Sequence, residues 1–280
     1  SVRNELEFDK VLSLLEGFAQ SSANKERIRS LCILRNSEKL NYNLDLLEEF
    51  KFIESDSNFP HFKYISLSNI ITYLKIQNSV LSEDHIFDIY SATNWVNSLI
   101  NFLGNNEYIT PNIDQLIIGL KKSVVIKKRI DKVFTPKRYI RSNASESLLK
   151  IRDNISKSRV LVDKYFKDSK THYMQLGYLA DIKESFADGI SLLAVSSEFK
   201  RKIKGRVRTQ SKTKSISFIE PDKCISLNRE ISHLIEDEKE EIRKILRLLS
   251  DDLRGHFDRI NLTLHLFEEL DFLNAKLKLS

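Results

Sequence analysis

The sequence predicts a mainly α protein: a helical core plus a long antiparallel coiled-coil lever with a small antiparallel β-sheet clamp at its tip. Only 7 Gly and 4 Pro among 280 residues leave little turn chemistry, which favours long helices. Residues 200–221 read KRKIKGRVRTQSKTKSISFIEP, which is typical of two short strands around a turn, studded with cations. The long helical segments before and after this stretch resemble an arm and its return.

The first part of the chain is predicted to be a helical core domain over residues 1–135. A short helix is expected to begin at Ser21 or Asn24, and hydroxyl N-caps are expected at Ser37 and Ser82. Apolar residues at helical spacing predict the longer helices over residues 5–19, 37–55, 68–77, 82–103 and 113–121.

Aromatic residues in this core are interpreted as packing residues. Trp95 and Tyr90 fit a core role better than a stacking platform. The loop DSNFPHFKY is interpreted as a packed connector, with a site at its lone His61 as the alternative. We therefore expect no chemistry in this domain.

The remainder is predicted to be the lever over residues 136–250, with the clamp inserted at about residues 176–221, followed by a helix over residues 251–280 that returns to the core. A basic connector with a short extended piece at Val133 and Phe134 precedes the lever. Ser142 or Asn143 is expected to cap its first helix.

Within the clamp, strands are expected over residues 176–182 and 190–195, on either side of an Asp188-Gly189 turn. Pro221 is expected to end the last strand, and Asp222 to start the return helix.

Each lever helix carries an apolar stripe with one interruption, at Ser158 and at Glu238. Matching the two stripes in antiparallel order places these interruptions opposite each other. A lone buried carboxylate is costly, so Arg159 or Lys157 is expected to balance Glu238. The prediction is a single polar layer that fixes the register of the lever.

Charge is segregated along the chain. The net charge is +6, yet residues 121–214 contain 25 basic and 9 acidic residues. Such a positive pole indicates a polyanionic partner, with nucleic acid as the main expectation. Cations on strands and turns suit phosphate contacts without base readout. The predicted DNA-binding residues are Lys200, Arg201, Lys202, Lys204, Arg206, Arg208, Lys212 and Lys214.

No pattern in the sequence predicts catalysis. The six histidines lack metal-ligand spacing, and neither a GxxxxGK[ST] loop nor a GxGxxG motif occurs. We expect no catalytic residue, cofactor or metal in this chain, and hence no enzyme activity. Cys32 and Cys224 stand alone, which fits a reducing cytoplasm, and no apolar run is long enough to span a membrane.

Several motifs from Asp188 onward resemble the MutS family, in particular its second bacterial branch, the MutS-II proteins. The strand after the first turn departs from that branch by reading ISLLAVS, without Pro or Lys, and the turn at residues 212–214 is Lys-rich instead of Gly-rich. The resemblance rests on Asp188-Gly189, Lys202–Gly205, Gln210-Ser211, Phe218–Pro221, Leu227-Asn228, Glu236–Glu241 and Leu270–Lys276.

The resemblance implies the core, lever and clamp region of a MutS-type mismatch-repair or recombination-control ATPase, without the ATPase and Smr nuclease domains. It implies a parent that binds branched or mismatched DNA as a homodimer and hydrolyses ATP with Mg in a further domain. The alternative is a helical interaction module whose basic tip docks ribosomal RNA or an acidic protein. The chain starts at Ser1 without an initiator Met and ends in a helical pattern, so we expect it to be a segment of a longer protein.

Overall fold

The computed structural model describes residues 7–32, 34–105 and 108–280, and it confirms the mainly α class with a small antiparallel sheet. In chain order the helices and strands are α1 Phe8–Phe18, α2 Ser22–Arg29, α3 Ser37–Glu54, α4 Ser68–Lys75, α5 Glu83–Asn105, α6 Pro111–Ile117, α7 Val125–Val133, α8 Glu146–Gln175, β1 Leu179–Ala187, β2 Ile190–Ser196, β3 Gly205–Gln210, β4 Ile216–Pro221, α9 Asp222–Arg254 and α10 Phe257–Leu279. Short 3-10 helices cover Ser142–Ala144 and Ser197–Lys202.

The described residues form two compact units. The helical unit comprises those of Ser1–Tyr139 together with Leu246–Ser280, and the sheet-bearing unit is Ile140–Ile245. Helix α9 contributes its first part to the sheet-bearing unit and its last part to the helical unit.

Helix N-caps in the helical unit follow local side-chain chemistry. The Ser21 hydroxyl accepts from the amide of Asn24, and Ser82 accepts from that of His85, as predicted. The cap expected at Ser37 is wrong, because Asn36 holds the extended cap conformation and its side chain accepts from the amide of Lys39. Residues 5 and 6 of the predicted first helix lie outside the described residues.

Helix α7 occupies the first part of the stretch that was predicted to be a basic connector. Ile126 and Ile130 are buried one turn apart, so the lysines and arginine between them lie on a helix. The extended piece at Val133 and Phe134 is reduced to Phe134, which ends the helix.

The loop after α3 is packed against the core. The indole N–H of Trp95 donates to the carbonyl oxygens of Pro60 and His61 at 3.2 and 3.1 Å. The same indole ring lies edge-on to Phe62 and Phe267, with ring centres 5.2 and 5.3 Å apart. The loop is therefore a packed connector, as predicted.

A buried carboxylate fixes the start of α2. Asp271 on α10 is fully buried and accepts from the backbone amides of Gln20 and Ser21, each at 3.0 Å. It also accepts from the side-chain amide of Asn24 at 2.9 Å. Asp271 thereby satisfies amides that the helix itself leaves without partners.

The sheet is antiparallel in the order β1-β2-β4-β3. Asp188 and Gly189 both have positive φ, at 51° and 78°, the conformation of a two-residue type I′ hairpin, as their sequence predicts. The predicted start of the first strand at Leu176 is wrong, because Leu176 caps α8 and Gly177 follows with a φ of 71°.

The start of α8 also differs from the prediction. Ser142 and Asn143 lie in a 3-10 turn, and the helix is capped by Ser145, whose hydroxyl accepts from the amide of Leu148. Ser142 and Asn143 are therefore not the cap.

Helices α8 and α9 run antiparallel in a register that contradicts the predicted polar layer. The Ser145 hydroxyl donates to Glu241 at 2.8 Å, and Cys224 Sγ lies 3.8 Å from the Val162 carbonyl oxygen.

From these two contacts, each step forward along α8 matches one step backward along α9. Ser158 is therefore level with Asn228, about three turns from Glu238. The Glu238 carboxylate instead accepts from Nε of Arg152 at 2.7 Å, so the cation expected from Arg159 or Lys157 is wrong as well. Ser158 does lie in the seam, with 6% of its surface exposed.

Candidate nucleic-acid interface

A shared core fixes the sheet on α8 and α9. Strands β2 and β4 and the segment before β3 each contribute buried side chains to it. The cluster comprises Phe166, Tyr173, Leu193, Val195, Ile203, Ile219 and Cys224. The cationic stretch is therefore carried by a packed scaffold and not by a free loop.

Glu220 of the FIEP motif is a buried junction between β3, β4 and α9. Its side chain is fully buried, and Oε2 accepts from Nε and Nη2 of Arg208 at 2.7 and 2.6 Å. Oε1 accepts from the side-chain amide of Asn228 at 2.7 Å. The guanidinium of Arg208 compensates the buried charge, and Asn228 of the later Leu-Asn pair satisfies the second oxygen of the FIEP glutamate.

Gly205 is required by the close approach of β3 to β4. A Cβ atom at Gly205 would lie 2.7 Å from Cγ2 of Ile219 and closer still to the carbonyl oxygen of Glu220. Lys204 is held on both sides of its backbone, since its amide donates to the Tyr173 hydroxyl at 3.0 Å and its carbonyl accepts from the amide of Asp222 at 3.1 Å.

The predicted DNA-binding residues all have exposed side chains, but they lie on different elements. Strand β3 begins only at Gly205, so Lys202 and Lys204 lie ahead of it. The eight residues divide into the 3-10 residues Lys200, Arg201 and Lys202, the link residue Lys204, the β3 residues Arg206 and Arg208, and the turn residues Lys212 and Lys214.

The turn between β3 and β4 has the predicted location and an internal hydrogen-bond frame. The Ser211 hydroxyl accepts a hydrogen bond from the Ile216 amide at 3.1 Å, and the Ser211 amide donates one to the Ile216 carbonyl oxygen at 2.9 Å. Lys214 adopts a positive φ of 58°. Gln210 donates from its side chain to the Ser217 hydroxyl at 3.1 Å.

The eight cations differ in how they are balanced. Among the described residues, Arg208 is the one of the eight that forms an ion pair, with Glu220. The ammonium of Lys202 lies 5.3 Å from the ring centres of both Tyr178 and Phe199, and these two rings stack at 4.8 Å. Seven positive charges on this surface are thus left without a carboxylate partner.

Two further side chains, those of Lys223 and His172, line a cavity beside this surface together with Lys202 and Lys204. Sequence reasoning missed them because they come from separate segments, and no local pattern marks them.

In the described part of the chain, no group of three His, Cys, Asp or Glu side chains could hold a metal ion. No helix described there combines the length and apolar character needed to cross a bilayer.

Known proteins resemble this chain over almost its whole length. No protein-family model matches the chain. The protein named Endonuclease MutS2 of Aquifex aeolicus is 24% identical over 276 residues, which cover 99% of this chain and 36% of that protein. Endonuclease MutS2 of Caldicellulosiruptor saccharolyticus is 27% identical over 281 residues, covering 97% and 34%. The chain is related to the MutS2 proteins.

Endonuclease MutS2 of Fusobacterium nucleatum shows the same relationship, with 27% identity over 282 residues that cover 98% of this chain and 35% of that protein. The chain spans about a third of the length of these curated relatives. The family resemblance expected from the motifs is confirmed by relatives that match almost the whole chain.

Proposed function

We propose that this chain is the DNA-binding core, lever and clamp region of a MutS2-type protein, and that its clamp contacts DNA phosphates without reading bases. The observation that carries this proposal is the set of exposed cations without carboxylate partners on β3 and on the 3-10 helix, link and turn that flank β3. Like charges held this close repel one another, and a polyanion relieves that repulsion. Branched, mismatched and plain duplex DNA all offer the required phosphates.

In this role the chain positions DNA and carries out no chemical step. The relatives are named endonucleases, and the residues described here offer a charged surface. We propose that nuclease activity, and ATP hydrolysis with Mg, belong to other parts of the longer protein.

Salt-dependent binding tests the phosphate contacts. If about four cations neutralise phosphates, the logarithm of the association constant for duplex DNA should fall with the logarithm of salt concentration with a slope near −3.6. The charge reversals Lys202→Glu, Lys204→Glu and Arg206→Glu together should abolish binding, measured by fluorescence anisotropy.

A matched control reverses three exposed lysines of the helical unit, Lys39, Lys51 and Lys63. This control changes the net charge equally and should leave most of the affinity in place. Unchanged affinity in the clamp variant would move the DNA contact elsewhere. Tighter binding of structured RNA than of DNA at equal salt would instead favour ribosomal RNA as the partner.

A further inference from the structure

A cavity of about 770 Å³ lies within the sheet-bearing unit, lined by the end of α8 and the residues that follow it, by the segment just before β3, and by the junction of β4 with α9. Three lysines line it, Lys202, Lys204 and Lys223. Asp168 and Asp222 line it as well. The cavity therefore presents cations and hydrogen-bond acceptors together.

Two lysines of the cavity contact aromatic rings, which leave their charge available. Lys202 lies over the stacked rings of Tyr178 and Phe199. Lys223 lies 5.8 Å from the ring centre of Tyr165. An aromatic ring orients an ammonium without neutralising it, so these charges remain free to bind an anion.

Besides Ser169 and His172, the remaining lining is aromatic and apolar and includes Tyr178, Leu176 and Pro221. The volume falls within the range of about 300–1,000 Å³ that is usual for small-molecule sites, and it exceeds the needs of a lone inorganic anion. A ligand that fits has a negative group for the lysines, N–H or O–H donors for the carboxylates, and a flat ring for the apolar wall. A nucleotide has all three.

We propose that this cavity binds the terminal nucleotide of a nucleic-acid strand, with its phosphate on Lys202, Lys204 and Lys223. A base inside a duplex is held by stacking and pairing and has to leave the stack to enter a recess, whereas a strand end is free to do so. This inference rests on the proposed function, because it adds an end-binding site to the phosphate-binding surface. A free nucleotide carries the same chemistry and is the other source to be tested.

The test uses the 280-residue chain and two DNA hairpins of one sequence, with a 5′-phosphate or a 5′-hydroxyl at the single open end. The wild-type chain should bind the phosphorylated hairpin more tightly, and Lys223→Gln should remove that difference. The expected loss for the phosphorylated hairpin is roughly tenfold, the effect of about one charge-assisted hydrogen bond. Lys212→Gln is the matched control, because Lys212 lies in the β3–β4 turn and does not line the cavity. It should weaken both hairpins alike.

Equilibrium dialysis with labelled dAMP separates a free nucleotide from a strand end. Saturable uptake that Lys223→Gln abolishes, combined with equal affinity for the two hairpins, would assign the cavity to a free nucleotide. Equal affinity for the two hairpins and no uptake of dAMP would overturn the inference while leaving the proposed function intact. If neither hairpin binds, the proposed function fails, and dAMP uptake alone then decides for or against the cavity.

Discussion

Asp271 in the helical unit and Glu220 in the sheet-bearing unit are both fully buried carboxylates, and their partners differ. Asp271 is bonded by neutral N–H groups, two of the backbone and one of Asn24. Glu220 is bonded by the guanidinium of Arg208 and the amide of Asn228. Asp271 therefore fixes the start of α2, whereas Glu220 holds a cation of the proposed DNA surface.

The largest effect expected from this comparison is on stability, in Asp271→Ala. Each buried N–H group that loses its acceptor costs about 1–3 kcal/mol, so the free energy of unfolding should fall by roughly 4 kcal/mol. Urea denaturation followed by circular dichroism measures this loss. The matched control is Glu269→Ala on the same helix, which removes a part-exposed ion pair with Arg27 and should cost less than about 1 kcal/mol. Equal losses in the two variants would contradict the assigned role of Asp271.

A smaller stability effect is expected for Glu220→Gln, which preserves shape and the bond with Asn228 but leaves Arg208 without its counter-charge. The free energy of unfolding should fall by about 2 kcal/mol. Affinity for DNA should stay the same or rise, because the change removes a negative charge and releases Arg208. Anisotropy at low salt measures that affinity.

The control for this variant is Glu184→Gln on β1 of the same sheet, which breaks a part-exposed ion pair with Lys170 of α8 and should alter stability by a few tenths of a kcal/mol. A drop in DNA affinity as large as that of the triple charge-reversal variant would contradict this expectation. It would show that Glu220 is needed to keep the DNA-binding surface in place.

The smallest effect concerns the two cysteines, one in each unit. Burial, with Glu220 and Asp163 nearby, raises the pKa of the Cys224 thiol to about 11, whereas Cys32 is exposed. Only the thiolate reacts, so alkylation of Cys224 should be slow at neutral pH and should speed up as the pH rises toward 11. Mass spectrometry after iodoacetamide treatment should find Cys32 modified and Cys224 intact. Equal modification of both at neutral pH would show that the sheet-bearing unit opens readily.

Features governed by neighbouring residues could be predicted from the sequence. The Asp188-Gly189 hairpin, the caps at Ser21 and Ser82, and the start of α9 after Pro221 all follow from residues next to each other in the chain. The mainly α class and the antiparallel sheet follow from periodicity. The burial of Glu220 was not predicted, although FIEP was recognised as a motif, because its partners Arg208 and Asn228 become neighbours only after folding.

Features that depend on distant segments were predicted poorly. Stripes that repeat about every seven residues can be matched in several registers, so the pairing of Ser158 with Glu238 was one choice among several, and contacts such as Ser145 with Glu241 select another. Helix α7 was not predicted, because its many cations favoured a connector over a helix that buries Ile126 and Ile130. The cavity combines three segments and has no signature in any of them.

The position of β3 at the edge of the sheet has a consequence for aggregation. An edge strand exposes unpaired backbone groups that can pair with a strand of another molecule. In β3 the unpaired charge of Arg206 and an irregular register between Val207 and Thr209 oppose such pairing. A neutral substitution of Arg206 would leave this edge open to pairing with another molecule, whereas its charge reversal would still keep molecules apart by repulsion. A nucleic acid lying along β3 would neutralise the charge of Arg206, and it would itself cover the edge that this charge protects.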